Sequence, residues 1–469
     1  MPLVAGVDSS TTACKVQVRD ADTGAVVASG RAPHPATFPP CSEQDPHDWE
    51  SAFRAACAAA GVPERHRPAA IAVAAQQHGL VVLGEGDEVL RPAKLWNDTE
   101  AAADADALVL ALPGGAGAWA VACGSVPLPS FTIAKLGWLR RCEPETFART
   151  RVVLLPHDWI SFRLTGRRTT DRGDASGTGY WSPREERYRV DLLELVDASR
   201  EWDSMLPDVV APNAVVGEWD GAVVAPGTGD NMAAALGLGL RPGDLALSLG
   251  TSGTAYTVSD EPAADPSGTV AGFADATGRF LPLACTLNAT KVTDAVARLI
   301  GADVERFDEL ALAGPAGAEG LVLVPHFDGE RTPNRPDATG TLTGLRSDVT
   351  PEELARAAVE GVVCNLLAGT DALGPTDGRV FLVGGASHSA AYRRVVADLT
   401  GRAVVVPAEP ELVAAGAAVQ AAAVLLGRDF DAVSAAWGLG HGQTVEPDRT
   451  VDAEAIRSAY ASASAEADR

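Results

Sequence analysis

GVDSSTTACK, residues 6–15, is the stretch on which the fold turns. Residues 3–7 before it are a short apolar run, residues 15–19 after it alternate polar and apolar side chains as KVQVR, and the hydroxyl-rich SSTTA lies between. Alternation with a period of two is what a strand with one buried face requires, so the segment predicts strand, polar turn, strand. A second unit of the same kind lies far downstream: residues 245–249, the small-residue turn GTSG at 250–253, then residues 254–258. Two such hairpins, about half a chain apart, suggest two lobes built on related plans, although unrelated hairpins share the same local signature.

Working outward, residues 69–74 read as a buried strand entering QQHG at 76–79, with a short strand at 80–83. Residues 48–60 predict a helix carrying Trp49, Phe53 and Cys57 four apart, and residues 131–141 predict another after the Pro127 and Pro129 turns. A strand stub at 223–225 runs into PGTGDN, 226–231, and the composition then turns helical over 232–240, which puts a lobe boundary near 221–227. Beyond it come a long helix at 351–369, a strand at 380–383 with the turn GGASHS, a helix at 390–399, a strand at 403–406 and an apolar helix at 410–426. A terminal helix at 451–463 has Thr450 as its candidate cap. Alternation of strands and helices on this scale means α/β architecture.

At 469 residues the chain exceeds what one hydrophobic core supports, so two large domains are expected. Its 47 glycines and 31 prolines are scattered between periodic segments, as in an ordered protein with many tight turns. With 62 acidic and 38 basic residues the net charge is −24, a poor surface for nucleic acid or anionic lipid. The N-terminal MPLVAGVD lacks a basic, apolar leader pattern, and the most apolar late stretch, 412–426, is interrupted by Gln420 and falls short of the roughly 20 residues that span a bilayer. Seven cysteines without a close pair suggest free thiols in a reducing compartment, so a cytoplasmic location is expected, without a disulfide framework or zinc cluster.

The chemistry-bearing residues gather in the same segments. Asp8 at a strand end could hold a hydrated cation, residues 9–12 offer hydroxyls and amides, and Lys15 returns toward the turn; together they suit a polyphosphate, though an ordinary hydroxyl-rich hairpin reads alike. Neither GxxxxGK[ST] nor a Rossmann GxGxxG occurs. Only Lys15, Lys94, Lys135 and Lys291 are lysines, and three of them fall in or beside these segments. In PGTGDN the glycines permit close backbone approach, and Asp230 stands at a helix entrance, where it could serve as a cap or as a reacting carboxylate. Gln76, Gln77 and His78, with Trp96, Asn97 and Asp98, supply planar polar groups and an aromatic face of the kind that binds sugar hydroxyls. No paired carboxylates suggest glycoside hydrolysis, and the histidines form no metal motif.

Taken in order, GVDSSTTACK, QQHG, LRPAKLWNDTE at 90–100, SFTIAKLGWL at 130–139, LLPHDW at 154–159, TGDN at 228–231, LSLGTSG at 247–253, HFDGERTPNRPDATGTLTGL at 326–345 and VGGASHSAAYRRVVADLTG at 383–401 resemble the FGGY family of carbohydrate kinases, most closely its xylulose kinase branch. The resemblance implies a two-lobed actin-like ATPase (ribonuclease H-like) α/β fold with a central active-site cleft, a sugar-binding N-terminal lobe at 1–224 and a nucleotide-binding C-terminal lobe at 225–469. It implies ATP and Mg²⁺, with Asp8 at the metal, Ser10, Thr11, Thr12 and Lys15 near phosphates, Gly250 and Thr251 around the transferred group, and Gly384, Gly385 and Ala386 in a nucleotide loop. Asn288 falls in a cleft-facing region of that family. Sugar contacts carry over to Gln77, His78, Trp96, Asp98, Asp230 and Asn231, with Asp230 the general base.

The implied reaction is ATP-dependent conversion of D-xylulose to its 5-phosphate. QQHG departs from the branch's QMHG at Gln77, and Ser10 replaces a glycine of the first turn, tolerable if its φ is negative. Glycerol kinases carry an Arg-Glu pair in the comparable loop, which weighs against glycerol. Another pentulose or a pentitol is the nearest alternative, and a non-catalytic actin-like sugar sensor a more distant one. The expected partners are a small-molecule sugar and ATP, with neither nucleic acid nor membrane, and with a homodimer left open.

Overall fold

The computed structural model describes residues 2–467. Two compact units are present, one running up to Leu240 and taking in Asp260–Leu281 and Glu409–Leu439, the other comprising Arg241–Ser259, Pro282–Ala408 and the chain from Gly440.

In the first unit the opening hairpin is β1 (Leu3–Ser9) and β2 (Ala13–Asp20), antiparallel with Asp8 opposite Lys15, and β3 (Val26–Pro33) continues the meander. The chain then places β4 (Ala70–Ala75) parallel to β1, β5 (Gly217–Trp219) at the edge and β6 (Ala222–Val224) parallel to β4, giving the order β3-β2-β1-β4-β6-β5. β4 is buried along its whole length, as a strand covered on both faces must be. Helix Pro46–Ala59 covers one face with Trp49, Phe53 and Cys57, the four-residue spacing visible in the sequence. It starts earlier than the sequence pattern suggested, because Asp45 caps it, accepting from the His47 amide, and Pro46 takes the first turn, where a missing N–H costs nothing.

Helix Leu412–Leu426 covers the other face, and its small residues explain how closely it approaches. A Cβ on Gly6 of β1 would stand 1.9 Å from the Ala414 carbonyl oxygen, and one on Gly416 would stand 1.8 Å from that of Ala233 in helix Asp230–Gly237. The alanines and glycines of this helix are therefore packing residues that let backbones meet. Gln420, the polar interruption, is buried among them.

The second unit repeats the plan. β7 (Leu245–Leu249) and β8 (Gly253–Thr257) form the second small-residue hairpin, β9 (Phe280–Thr286) extends it, and β10 (Val380–Val383), β11 (Val404–Pro407) and β12 (Gly442–Val445) complete the order β9-β8-β7-β10-β11-β12. Again three antiparallel strands are followed by two parallel ones and an antiparallel edge. Helix Pro351–Ala368 starts with a reciprocal Thr350–Glu353 capping box and is buried through most of its length. The terminal helix is Ala453–Glu466, capped by the Asp452 carboxylate on the Ala455 amide; Thr450, the cap expected from sequence, instead bonds Asp448. This duplicated mixed sheet is the two-lobed α/β plan of the actin-like, ribonuclease H-like ATPases. All seven cysteines are free, and among the described residues no single helix is long and apolar enough to cross a membrane.

Candidate active site

The first hairpin turn is held from several sides. The Thr11 hydroxyl accepts from the Trp96 indole at 2.9 Å and donates to Gln76 Oε1 at 3.3 Å, and the Gln44 amide donates to the Thr11 carbonyl. Ser10 has no left-handed backbone, so its place in a turn where the family has glycine is unstrained. Ser10, Thr11, Thr12, Trp96 and Asn97 line a groove of about 510 Å³ that also touches His34. Behind the turn, Asp8 is buried with Oδ2 3.5 Å from Lys15 Nζ and Oδ1 lacking any hydrogen-bond partner. Burial pushes the Asp8 carboxyl up to about 6 against the pull of Lys15. Lys15 bonds Glu411 at 2.6 Å; burial works against its charge, but the Glu411 and Asp8 carboxylates outweigh it and raise its pKa.

PGTGDN meets the same C-terminal end of β4 that pairs with Asp8 and Ser9 before the first turn. Thr228–Gly229 pair with Ala74 and Ala75 as a short parallel strand, and helix Asp230–Gly237 begins at once. Gly229 is the cap residue and Asp230 the first helical residue, so the carboxylate does not cap; Oδ1 accepts from the adjacent Asn231 amide at 2.8 Å and from Asn231 Nδ2 at 3.1 Å. Asn231 Nδ2 also donates to Gln77 Oε1 at 2.8 Å, while Gln77 Nε2 is buried with no partner. Gln77 presses against Gly229, where an added Cβ would come within 2.6 Å of its Cγ. Burial raises the Asp230 carboxyl to about 7, with the negative charges of Asp8 and Asp174 adding to the shift.

His78 sits in left-handed backbone at φ 65° and donates from Nδ1 to the Gly177 carbonyl at 2.6 Å, its ring packed against those of Phe131 and Phe273, which also touch each other. Its own carbonyl accepts from the buried Lys135 Nζ at 2.7 Å, which gives that lysine a structural task. Asp98 is wholly buried: its carboxylate takes the Ser42 amide, the Lys94 ammonium and the Glu100 amide. It thereby orders the WND segment, leaving Trp96, 38% exposed, as the residue of that segment open to solvent. The structure thus brings Asp230, Asn231 and Gln77 into one bonded cluster and Trp96, Thr11 and Gln76 into another, with Asp98 held apart inside the fold.

A polar layer beneath the turn was given no role from the sequence, although LLPHDW and TGDN contain two of its members, His157 and Thr228. The Thr228 hydroxyl donates to Asp171 Oδ2 at 2.7 Å, and Asp171 also caps the short helix Arg172–Ser176 through the Gly173 and Asp174 amides. Asp174 accepts from His157 Nδ1 at 2.6 Å, and the His157 ring lies against Gly227. Burial disfavours charge on His157, yet Asp158, Asp174 and Asp171 outweigh it and raise the imidazole to about 9. The legible trace of this layer was D-x-x-D at 171–174, which has the spacing of an Asp-capped helix turn.

In the second unit Gly250 and Thr251 lie in the turn between β7 and β8, and Gly384 and Gly385 follow β10. Gly384 has φ 83°, and its Cβ would strike the Leu249 carbonyl at 2.6 Å, so a glycine is obligatory there. Gly385 has open space where a side chain would be, and Ala386 is buried. Asn288 is fixed inside the unit by donating Nδ2 to the Gly329 carbonyl and Glu330.

Models of the two domains of one family match residues 3–237 and 245–425, covering both hairpins and the residues of the candidate site. The chain belongs to the FGGY family of carbohydrate kinases. It is 47% identical over 458 residues to a xylulose kinase of Streptomyces rubiginosus, covering 95% of this chain and 92% of that protein. It is 34% identical to the xylulose kinase of Escherichia coli over 421 residues, 85% of this chain and 84% of the other. The crystal structure of xylulose kinase from Bifidobacterium adolescentis superposes with a TM-score of 0.89 at 39% identity, covering 99% of each chain. A gluconate kinase of Lactobacillus acidophilus, 24% identical, shares the fold with a TM-score of 0.90 over 99% of this chain and 97% of the other. Family and fold together make this FGGY protein an ATP-dependent carbohydrate kinase.

Proposed function

We propose that the protein phosphorylates D-xylulose at O5, with Asp230 as general base and ATP as donor. The first unit holds the sugar through Gln77, His78, Asp230 and Asn231, beside Trp96, with Asp98 ordering the Trp96 segment from within. The second unit holds the nucleotide through Gly250, Thr251, Gly384, Gly385 and Ala386, and Ser10, Thr11, Thr12 and Lys15 serve the phosphates. An alcohol is a weak nucleophile; as the O5–phosphorus bond forms and the bond to the ADP oxygen breaks, the hydroxyl proton passes to Asp230. A carboxyl raised to about 7 is suited to that task near neutral pH.

Asp8 fits a hydrated divalent cation, since one of its oxygens is buried without a partner and the lysine beside it is shared with Glu411. Magnesium there would offset charge on the ATP phosphates. The observation that carries the sugar assignment is the near full-length similarity to proteins named xylulose kinase, joined to the Gln77–Asn231–Asp230 cluster. Gln77 is also where another pentulose or a pentitol could be preferred, because its Nε2 is an unpartnered buried donor that rewards one substrate oxygen over others.

The deciding experiment is ADP release with D-xylulose, ribulose, xylitol and glycerol under identical conditions. The highest kcat/KM is expected for D-xylulose; a clear preference for ribulose or xylitol would move the assignment to that sugar.

A further inference from the structure

Gln420 is the one polar side chain within the helix Leu412–Leu426, and it is 1% exposed. An amide in such a setting is costly unless both its ends are bonded. Here both ends go to a single residue: Oε1 accepts from the Gly227 amide at 2.9 Å and Nε2 donates to the Gly227 carbonyl at 3.2 Å. A two-point grip of this kind fixes the peptide planes on either side of Gly227, as a neighbouring strand would.

Gly227 cannot be held by a side chain of its own. Its φ is 80°, and a Cβ would meet the Val73 carbonyl at 2.4 Å and the His157 ring at 2.8 Å. The next residue, Thr228, is tied by its hydroxyl to the buried Asp171, and two residues later the chain reaches Asp230. Asn231 is secured separately, by Gln77.

We propose that Gln420, and Asp171 acting through Thr228, are positioning residues that hold the Gly227–Gly229 turn so that Asp230 is delivered in one orientation for phosphoryl transfer. The inference rests on Asp230 being the base. It separates orientation of the carboxylate from retention of the sugar, because the tether of Asn231 does not pass through either residue.

The test uses Gln420→Met, which keeps side-chain length and removes both bonds, and Thr228→Val, with Thr228→Ser as the conservative partner. Pre-steady-state phosphoryl transfer and the sugar KM are measured on folded protein. For Gln420→Met and Thr228→Val the transfer rate is expected to fall about 10–100-fold, since small misplacements of a reacting group cost that much. The sugar KM should change less than about 3-fold, and Thr228→Ser should restore most of the rate. A purely structural role predicts a lower melting temperature with a near-normal transfer rate; that result in Gln420→Met, or a serine variant no better than valine, would overturn the proposal. If Gln420→Met does not fold, the Thr228 pair decides. Asp230→Asn is run alongside: retained chemistry there removes the base assignment itself, whereas an inactive Asp230→Asn with normal Gln420→Met and Thr228→Val removes only the positioning role.

Discussion

The acidic limb of the pH–rate profile is where the geometry around Asp230 makes its most exposed prediction. The carboxyl is raised to about 7, first by burial and then by Asp8 and Asp174. A base with that pKa is about nine-tenths ionised at pH 8 and about one-tenth at pH 6, so kcat/KM for the sugar should fall about tenfold across that interval. An ordinary aspartate would remain ionised throughout and leave the profile flat. The assay is coupled ADP release from pH 5.5 to 8.5 at fixed ionic strength, with the coupling enzymes in excess at every pH. Residual turnover by Asp230→Asn should be smaller by about 10²–10⁴-fold, the usual range for loss of a general base, and should lack the limb near pH 7. A flat profile between pH 6 and 8 in the parent, or the same limb in Asp230→Asn, would refute the reasoning. Stability carries the matching sign. A carboxyl whose folded pKa is raised binds a proton in the folded state that the unfolded chain does not, so stability rises as pH falls from about 7 toward 4. Asp230→Asn should accordingly raise the melting temperature at pH 8 more than at pH 5.

Three further outcomes are expected. Asp8→Asn should raise the KM for Mg·ATP or lower kcat at fixed magnesium while the sugar KM stays within about 3-fold, measured by varying each substrate at saturation of the other. Gly385→Ala should leave the melting temperature nearly unchanged, because its Cβ enters open space, and should weaken ATP binding in calorimetry if a nucleotide approaches the backbone there; unchanged ATP affinity would take Gly385 out of the nucleotide site. Gly6→Ala should fold poorly or lose several degrees of melting temperature, since its Cβ would stand 1.9 Å from the Ala414 carbonyl and neither backbone can yield cheaply.

Much of the fold was legible because its signals are local. The KVQVR alternation, the SSTTA and GTSG turns and the Trp49–Phe53–Cys57 stripe each express a strand, turn or helix face within a few residues, and the structure places them accordingly. Helix ends were less legible: Asp45 and Asp452, not the residues nearest the apolar pattern, supply the caps. Which carboxylates are available was not legible either. Asp98 and Asp230 look alike as acidic residues beside asparagine, yet one is consumed by Ser42, Lys94 and Glu100, while the other stands at the first turn of a helix bonded to Asn231.

The sequence by itself determined the α/β class, the two related hairpins and, through an ordered set of motifs, the FGGY family. Those follow from periodicity and from short segments whose chemistry is complete within about ten residues. Only the tertiary structure decided that Gln420, an apparent flaw in an apolar helix, grips Gly227 across 193 positions, and that Asp171 reaches Thr228 across 57. The physical reason is that a hydrogen bond is worth making inside the fold because burial removes water as the alternative partner. Which groups are buried together depends on packing, and no local pattern records it.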